Sequence, residues 1–357
     1  MGFLICLLSS LMILQPGKDI DNENAASDIA GHTLKVLQLN LWCGMSRVPG
    51  AMEGLACVLQ NADPDVVFLC EATDGNDTTV VSRLVDLLHG RGVDYCVSGG
   101  GHSVCMLTRQ RPDSEEWTCR IPGEEGIMLK VVLDLYGRKY AFYSLHLDYR
   151  NYACYLPRGY SGETWEKTGA PVTDSVAVLA ANRKSYRDEG IASFIETSAE
   201  DLENGMTVIA GGDFNEPSCL DWTEATGGMR DHNGAVIPWD CSVMLLKAGF
   251  RDVFRSVWPD PVLHPGFTYP AGNRDAVRAG RKDLSWAPEA DERERIDFIY
   301  YFSPDNSVQP ETCLIVGPDA MICRGILEED SDREALLESE CVWPSDHRGN
   351  LAVFRIP

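Results

Sequence analysis

The chain has 357 residues, of which 44% are hydrophobic, and this is enough to bury one large core. Acidic residues outnumber basic residues by 54 to 31, which gives a formal net charge of −23 at pH 7. Because a surface of this sign repels polyanions at low salt, the composition disfavours strong non-specific binding to nucleic acid. A bound divalent cation or a local arginine cluster can reverse the potential within one cleft, so a nuclease is not excluded.

The N-terminus carries an apolar segment at residues 3–14, FLICLLSSLMIL, which is too short to span a bilayer and has the length of a signal-peptide core. We expect residues 1–30 to be a signal peptide and flexible leader, and residues 31–357 to form one domain. The processed protein would then be secreted or periplasmic, without a transmembrane anchor. No Lys or Arg precedes the segment and no clear cleavage site follows it, so a cytoplasmic protein is the alternative. Loss of Cys6 would leave 12 of the 13 cysteines, an even number that suits disulfides.

The rest of the chain alternates between patterns typical of strands and of helices. Apolar residues at three- and four-residue spacing predict helices at residues 51–60, 78–89, 176–203 and 240–248. Residues 151–173 and 258–294, rich in Gly, Pro, Arg and aromatic residues, are predicted to be long surface loops beside a candidate site. The eight predicted strands are, in chain order, LKVLQLNLW, DVVFLC, SVCMLT, IMLKVVLDL, KYAFYSLHL, MTVIAGGDF, RIDFIYYF and NLAVFRI.

Polar side chains lie at the ends of several predicted strands, where distant parts of the chain can converge on one cleft. Taken singly, an Asn or Asp after a strand is most often a turn former. A carboxylate such as Glu71 or Asp213 at the end of an apolar strand, however, costs free energy if it is desolvated without a partner, and a divalent metal would supply that partner. The candidate residues are Asn40, Glu71, His146, Asp213, Asn215, Asp297, Asp346 and His347.

These residues resemble the motifs of the endonuclease/exonuclease/phosphatase superfamily, which includes DNase-like nucleases, neutral sphingomyelinases and inositol-polyphosphate phosphatases. The most specific motifs are GDFN at residues 212–215 and SDH at residues 345–347; LN at residues 39–40, the strand-terminal Glu71 and RIDFIYY support them. The resemblance implies an α/β four-layer sandwich, in which two mixed β-sheets pack face to face with helices outside. It identifies residues 31–357 as the catalytic domain of a metal-dependent phosphoric ester hydrolase.

The resemblance implies a metal site with Mg²⁺, or Mn²⁺ as the alternative ion. Glu71 matches the principal ligand and Asp346 a second one, while Asn40 matches an amide that holds a phosphate oxygen or a metal-bound water. Trp42 stands where some family members have an acidic residue, which leaves a second metal ligand from that strand in doubt.

The resemblance also implies the catalytic residues. Asp213 matches the carboxylate that orients or deprotonates the attacking water, and Asn215 matches a second phosphate-binding amide. His347 and Asp297 match a His–Asp couple next to the scissile phosphate, in which the carboxylate fixes the tautomer and raises the pKa of the imidazole. His146 matches a second histidine, a candidate general acid for the leaving group.

Several other residues have two interpretations. Asp148 would contact substrate or form a turn, and the HPGFTYP segment with Phe267 and Tyr269 would face the substrate or pack in the core. Arg183 and Arg187 are interpreted as partners of Asp188 or Glu189. The histidines outside the motifs are interpreted as ordinary surface or core residues, namely His32, His89, His102, His232 and His264.

The sequence therefore predicts a monomer that hydrolyses a phosphorylated small-molecule or lipid substrate. A secreted DNase-like endonuclease is the alternative, so nucleic acid stays a candidate partner, and a catalytically silent phosphate-binding protein of the same fold is the third. The predicted loops carry cations that could form a local positive rim, namely Arg150, Arg158, Arg274, Arg278, Arg281 and Lys282.

Overall fold

The structure is a computed structural model that describes residues 31–75 and 77–357, so the predicted signal peptide and leader lie outside the described residues. The strands are β1 His32–Asn40, β2 Val66–Cys70, β3 Cys96–Ser98, β4 Cys105–Thr108, β5 Ser114–Trp117, β6 Met128–Leu135, β7 Arg138–His146, β8 Thr207–Asp213, β9 Arg251–Asp252, β10 Asp297–Phe302, β11 Gln309–Gly317, β12 Ala320–Cys323, β13 Ile326–Glu329, β14 Leu336–Glu338 and β15 Gly349–Ile356. The helices are α1 Ala51–Ala62, α2 Val80–His89, α3 Ser175–Asn182, α4 Arg187–Glu203, α5 Asp240–Lys247, α6 Val253–Val257 and α7 Arg274–Arg278.

Two mixed sheets make the centre of the fold. Sheet 1 has the strand order β14-β11-β15-β1-β2-β4-β3, and sheet 2 has the order β5-β6-β7-β8-β10-β9. Their inner faces share one hydrophobic core that includes Val36 and Phe68 from sheet 1 and Phe142 and Ile209 from sheet 2. Burial of each such side chain contributes about 1.5–3 kcal/mol, which makes this inner core the main source of stability.

Helices cover the outer face of each sheet. Leu39 of β1 packs with Leu55 and Leu59 of α1 and with α2, whereas Leu145 of β7 packs with Phe194 of α4 and with α5. The layers are therefore helix, sheet, sheet, helix, and the predicted four-layer sandwich is confirmed.

All eight predicted strands are present, but the sequence missed the short or irregular ones. β5 is mostly exposed, β3 has three residues, and β11 carries a register shift beside Pro310, so none shows a clear alternation. The helix predicted at residues 176–203 is two helices, α3 and α4. Its break has no Gly or Pro to mark it; there, the Ser185 hydroxyl and the Tyr186 amide hydrogen-bond outside the helical pattern.

One disulfide joins Cys57 of α1 to Cys341, a few residues before the SDH motif. Other cysteines, including Cys70, Cys105 and Cys313, are buried free thiols. Among the described residues, no helix has the length and apolar character needed to cross a membrane.

Candidate active site

Strand pairing brings the predicted site residues to one edge of both sheets. In sheet 1, the parallel strands β1 and β2 end together, with Asn40 opposite Cys70, and Glu71 follows directly. In sheet 2, His146 at the end of β7 is paired with Asp213 at the end of β8, and Asp297 begins the antiparallel strand β10 opposite Asp213. Because ends of neighbouring parallel strands lie at the same sheet edge, residues far apart in sequence meet in one cleft.

Asn40 joins the two sheets at this edge. Alternation along β1 places Gln38 and Asn40 on the same face as Val36, which belongs to the core between the sheets. The Asn40 Nδ2 group donates to Glu71 Oε1 at 3.1 Å and to Asp213 Oδ2 at 2.9 Å. One buried amide thus holds two carboxylates side by side, where they would otherwise repel each other.

A left-handed turn after β1 fixes Glu71. Trp42, Cys43, Gly44 and Met45 all have positive φ, between 43° and 62°, a conformation that costs residues with a Cβ about 1–2 kcal/mol each. This turn directs two backbone amides at Glu71. The Cys43 amide donates to Glu71 Oε2 at 2.7 Å, and the Gly44 amide donates to the Glu71 carbonyl at 2.8 Å. At Gly44 a Cβ would lie 2.7 Å from the Asp74 amide nitrogen, so only glycine fits. Backbone strain of this kind concentrates at functional sites.

The glycine before Asp213 allows close approach of β7. A Cβ on Gly212 would lie 1.8 Å from the Leu145 carbonyl oxygen. The GDFN motif therefore needs this glycine for packing, independently of any chemistry.

His347 and Asp297 form the predicted couple. His347 Nδ1 lies 2.8 Å from Asp297 Oδ2, and Gln38 Nε2 donates to the other carboxylate oxygen at 2.8 Å. Asp297 is fully buried. Burial by itself would lower the pKa of His347, because it disfavours the charged imidazolium. The negative charges of Asp297 and Asp213 have the larger effect and raise the pKa of His347 to about 10. His347 therefore carries a positive charge at neutral pH and presents Nε2 to the cleft as a donor.

Asp213 lies between the two histidines. It is 1% exposed, and its Oδ2 is 3.8 Å from His146 Nε2 and 3.9 Å from His347 Nε2. Burial and the charge of Asp297 raise the pKa of Asp213 to about 6, so this carboxylate is suited to exchange a proton near neutral pH. The backbone amide of Asn215 donates to Asp213 Oδ1, and the side-chain Nδ2 of Asn215 donates to the Leu147 carbonyl. Asn215 therefore holds the segment after β8 against the segment after β7.

The buried acidic groups fit a cation. Asp346 Oδ1 is buried and has no hydrogen-bond partner among the described residues, and burial raises the pKa of Asp346 to about 7. An orphaned buried carboxylate oxygen costs free energy that a metal ion would recover. Burial by itself would raise the pKa of Glu71. His146, the Cys43 backbone amide and Asn40 together lower this pKa below its ordinary value, so Glu71 stays ionised.

Two sets of ligands are available for that cation. The ligand atoms of Asp213, Asp297 and His347 all lie within 4.8 Å of one another. In this triad, however, Asp297 Oδ2 is hydrogen-bonded to His347 Nδ1, Asp297 Oδ1 accepts from Gln38, and Asp213 accepts from Asn40 and from the Asn215 backbone. We therefore favour Glu71 and Asp346, whose Oδ1 makes no hydrogen bond among the described residues, as ligands. The predicted assignment of Glu71, Asn40 and Asp346 to the metal stays a prediction.

Some polar neighbours of the site were missed. Gln38 and Asn350 are fully buried, and Asn350 Nδ2 donates to Gln38 Oε1 and to the Asp297 carbonyl. A polar residue inside an apolar strand pattern was the sequence signal that could have identified them. Ser103 Oγ lies 3.2 Å from His146 Nδ1, and no motif marked it. Together they orient the predicted residues.

The hydrogen-bond partners in the structure decide between the interpretations of Asp148, Arg183 and Arg187. Both oxygens of Asp148 accept backbone amide hydrogen bonds, from Arg150 and Tyr186, so Asp148 has the turn role. The predicted partners of Arg183 and Arg187 were wrong. Arg183 pairs with Asp240, and the buried Arg187 donates to loop carbonyl groups and lies 3.7 Å from Glu216.

The aromatic HPGFTYP segment and the remaining histidines are also placed. The Tyr269 ring faces the site, with its centroid 4.9 Å from that of His347, whereas Phe267 packs beneath two arginines. The other histidines contact Tyr136, Asp94, Trp117, Trp222 or Asp332 and lie outside the described cluster; they are His32, His89, His102, His232 and His264.

The metal-free protein is expected to lose stability as the pH rises from about 5 to about 9. Asp213, Asp346 and His347 have folded pKa values of about 6, about 7 and about 10, each above its ordinary value. The folded state therefore binds more protons than the unfolded state, and the free energy of unfolding falls as pH rises through these values. Thermal unfolding midpoints measured in EDTA across this range test the expectation. Mg²⁺ should make the unfolding midpoint depend less on pH. An unfolding midpoint in EDTA that does not change with pH would contradict the expectation.

Comparison with known proteins agrees with this geometry. A Caenorhabditis elegans protein described as uncharacterized protein F14F9.5 is 28% identical over 284 residues, which cover 76% of this chain and 79% of that protein. The structure of D. rerio TDP2 complexed with single strand DNA product has a TM-score of 0.50 and 17% identity, covering 90% of this chain and 99% of that one. Truncated Caenorhabditis elegans TDP2 has a TM-score of 0.51 and 16% identity, covering 90% and 97%. These structures share the fold.

The sequence also matches the model of the Endonuclease/Exonuclease/phosphatase family over residues 37–347. This region is most of the chain and contains all eight predicted site residues. Members of the family are in general phosphoesterases that depend on divalent metals, and the cleft holds carboxylates and imidazoles at metal-ligand spacing. The resemblance seen in the motifs is thus confirmed, and the chain belongs to the endonuclease/exonuclease/phosphatase family.

Proposed function

We propose that the protein is a Mg²⁺-dependent hydrolase of a phosphoester on a small or lipid-borne substrate. The observation that carries the proposal is the convergence of four carboxylates and two imidazoles at one edge of the two sheets, with Asp346 Oδ1 buried and without a hydrogen bond among the described residues. A protein that only bound phosphate would have no physical reason to keep so many buried acidic groups together, because they repel an anion.

The residues present divide the chemistry between them. Glu71 and Asp346 would hold Mg²⁺, or Mn²⁺, and the ion would supply positive charge that stabilises the transition state at phosphorus. Asp213 accepts a proton from the attacking water, for which its pKa of about 6 is suited. His347, kept protonated by Asp297, donates a hydrogen bond to a phosphate oxygen. His146, partly exposed beside Ser103, is the candidate acid for the leaving group.

The preference for a small substrate rests on how the loop cations are used. Each arginine that could form a positive rim pairs with a carboxylate, whereas Lys282 is exposed. The pairs are Arg150 with Asp148 and Glu124, Arg158 with Glu294, Arg274 with Asp319, Arg278 with Asp275, and Arg281 with Asp283. Little positive charge is therefore left to offset the net charge of −23 for an approaching polyanion.

Cleavage of DNA is the second candidate, because the TDP2 structure of similar fold is complexed with single strand DNA product. We also propose that the protein is secreted or periplasmic after processing, because the apolar segment at residues 3–14 has the length of a signal-peptide core. The predicted monomer stays a prediction.

Hydrolysis of bis(p-nitrophenyl) phosphate tests the proposed chemistry. Activity is expected with Mg²⁺, is expected to disappear in EDTA, and is expected to return when Mg²⁺ is restored. Glu71→Gln keeps the size of the side chain but removes its charge, so it should need much more Mg²⁺ for half-maximal activity. Full activity in EDTA would overturn the metal dependence, and no activity with any phosphoester would favour a silent binding protein.

A salt series separates the two substrate candidates. We expect kcat/KM for plasmid DNA to be low at low salt and to rise as screening weakens repulsion, while kcat/KM for the soluble diester hardly changes. The measurement runs at fixed Mg²⁺ with both substrates. Efficient DNA cleavage at low salt that falls as salt rises would instead indicate a cationic cleft and a secreted nuclease.

A further inference from the structure

Two buried amide side chains lie between the sheets beside the candidate site. Gln38 of β1 and Asn350 of β15 are directly opposite each other in sheet 1, and 0% and 1% of their surfaces are exposed. The next residues on the same face of these strands, Val36 and Ala352, belong to the apolar core between the sheets. A polar side chain at such a position costs free energy unless it is hydrogen-bonded, so its presence needs an explanation.

Hydrogen bonds join the two amides to Asp297 in a closed ring. Asn350 Nδ2 donates to the Asp297 backbone carbonyl at 3.1 Å and to Gln38 Oε1 at 3.0 Å. Gln38 Nε2 donates to Asp297 Oδ1 at 2.8 Å. The ring begins at the backbone of Asp297 and ends at its carboxylate, so it fixes how that carboxylate is turned relative to β10.

Matching of donors to acceptors leaves one orientation for each amide in the ring. A backbone carbonyl can only accept, so the group of Asn350 that meets the Asp297 carbonyl must be Nδ2. The same Nδ2 group meets Gln38, which must therefore present Oε1 to Asn350 and Nε2 to Asp297. The backbone of Asp297 thus determines, through two amides, that its own Oδ1 receives a donor.

Because Oδ1 is held in the ring, the other carboxylate oxygen faces the site. Asp297 Oδ2 lies 2.8 Å from His347 Nδ1, and His347 Nε2 then lies 3.9 Å from Asp213 Oδ2. A carboxylate accepts from Gln38 and His347 at once, whereas an amide in its place would turn its own NH₂ group toward one of the two donors. The arrangement therefore requires a carboxylate at position 297 and an amide at position 38.

Stability alone does not explain the ring. Asn350 Oδ1 is buried and has no hydrogen-bond partner among the described residues. A buried acceptor without a partner lowers stability, and apolar side chains of similar size would avoid that cost next to Val36 and Ala352. Local choices that lower stability are expected at functional sites, and this one contacts the His347–Asp297 couple.

We propose that Gln38 and Asn350 are positioning residues for the hydrolysis. Their ring holds Asp297 so that Oδ2 faces His347, and Asp297 in turn directs the imidazole Nε2 toward Asp213. The inference rests on the proposed function, because the orientation of His347 matters only if His347 acts in the reaction. Both amides are buried and cannot reach the substrate, so a change at either should lower kcat and leave KM nearly unchanged.

Reversing the polarity of one hydrogen bond tests the ring. Gln38→Glu places two carboxylates face to face, and Asp297→Asn turns an amide donor toward another donor, so each variant should lower kcat for bis(p-nitrophenyl) phosphate by at least about tenfold. The double variant restores the bond, because the amide at position 297 donates to the carboxylate at position 38 and still accepts from His347. Its kcat should exceed that of Asp297→Asn by at least about tenfold. A double variant no more active than Asp297→Asn would overturn the inference.

A second test asks whether the two amides act through His347. Gln38→Met and Asn350→Leu each remove two hydrogen bonds of the ring with little change in size, so each should lower kcat by about tenfold. In the His347→Ala background the same changes should lower kcat by less than about twofold, because no imidazole remains to be oriented. Equal losses in both backgrounds would mean a general structural effect and would overturn the inference.

Tyr143→Phe is the matched control for lost stability. The Tyr143 hydroxyl donates to the buried carboxylate of Asp201 on the outer face of sheet 2, so this variant also removes a buried donor from a buried carboxylate. It should lower the thermal midpoint but keep the wild-type kcat and KM. Equal losses of kcat in Tyr143→Phe and Gln38→Met would overturn the inference alone. A wild-type protein that hydrolyses no phosphoester would overturn the proposed function as well.

Discussion

Replacing Asp213 with alanine is expected to lower kcat by about a thousandfold, the size of effect typical for loss of a general base, without lowering the thermal midpoint. Asp213 is buried and touches Asn40, Asn215 and both site histidines at distances up to 3.9 Å. Its pKa, raised to about 6 by burial and by Asp297, shows that ionised Asp213 is destabilised in the metal-free protein. Removal of that charge therefore offsets the loss of its hydrogen bonds, while no other group replaces it beside the attacking water.

Asp201→Ala is the matched control for this result. Asp201 is equally buried, but it lies on α4, where it pairs with Lys130 at 2.6 Å and accepts a hydrogen bond from Tyr143. Breaking a buried ion pair by removing one partner costs about 3–5 kcal/mol, so Asp201→Ala should unfold at lower temperature and keep its kcat. The two variants should thus show opposite phenotypes. Wild-type kcat in Asp213→Ala at saturating Mg²⁺ would show that another group activates the water.

Replacing His347 with alanine is expected to lower kcat by about a hundredfold to ten-thousandfold, and adding Asp297→Asn should change little further. The reason is that Asp297 acts on the reaction through His347: it accepts from Nδ1 at 2.8 Å and helps to hold the pKa of His347 at about 10. Asp297→Asn alone should therefore approach the loss seen in His347→Ala. A double-mutant cycle on kcat/KM measures the coupling.

The chain offers a second His–Asp pair as a control for the cycle. His264 Nδ1 lies 3.2 Å from Asp332, outside the cleft, so His264→Ala and Asp332→Asn should leave kcat unchanged. Losses in His347→Ala and Asp297→Asn that simply multiply would mean that the two residues act independently, and the couple would be rejected.

The sequence by itself determined the class of the fold and identified residues that meet in one cleft, whereas their catalytic and metal-binding roles stay predictions. The eight strand patterns and the polar residues at the ends of several of them depend on local alternation and composition, which the order of residues records directly. Asn40, Glu71, His146 and Asp213 lie at the ends of parallel strands, whereas Asp297 and His347 lie at or just before the starts of strands that run antiparallel to them. All six therefore meet at a common edge, and their position at a strand end was enough to group them. Pro310 and the exposed β5 show where this local signal fails.

Only the tertiary structure decided how these residues are held and which charges are free. Gln38 and Asn350, 312 residues apart, reach Asp297 through strand pairing, and no local pattern reports such a contact. The loop arginines counted as cations in the sequence, yet the fold pairs each with a carboxylate and so removes the predicted positive rim. Likewise, Tyr269 became a cleft residue only when its segment packed on His347. Charge compensation and burial depend on which distant atoms are neighbours, and folding alone sets them.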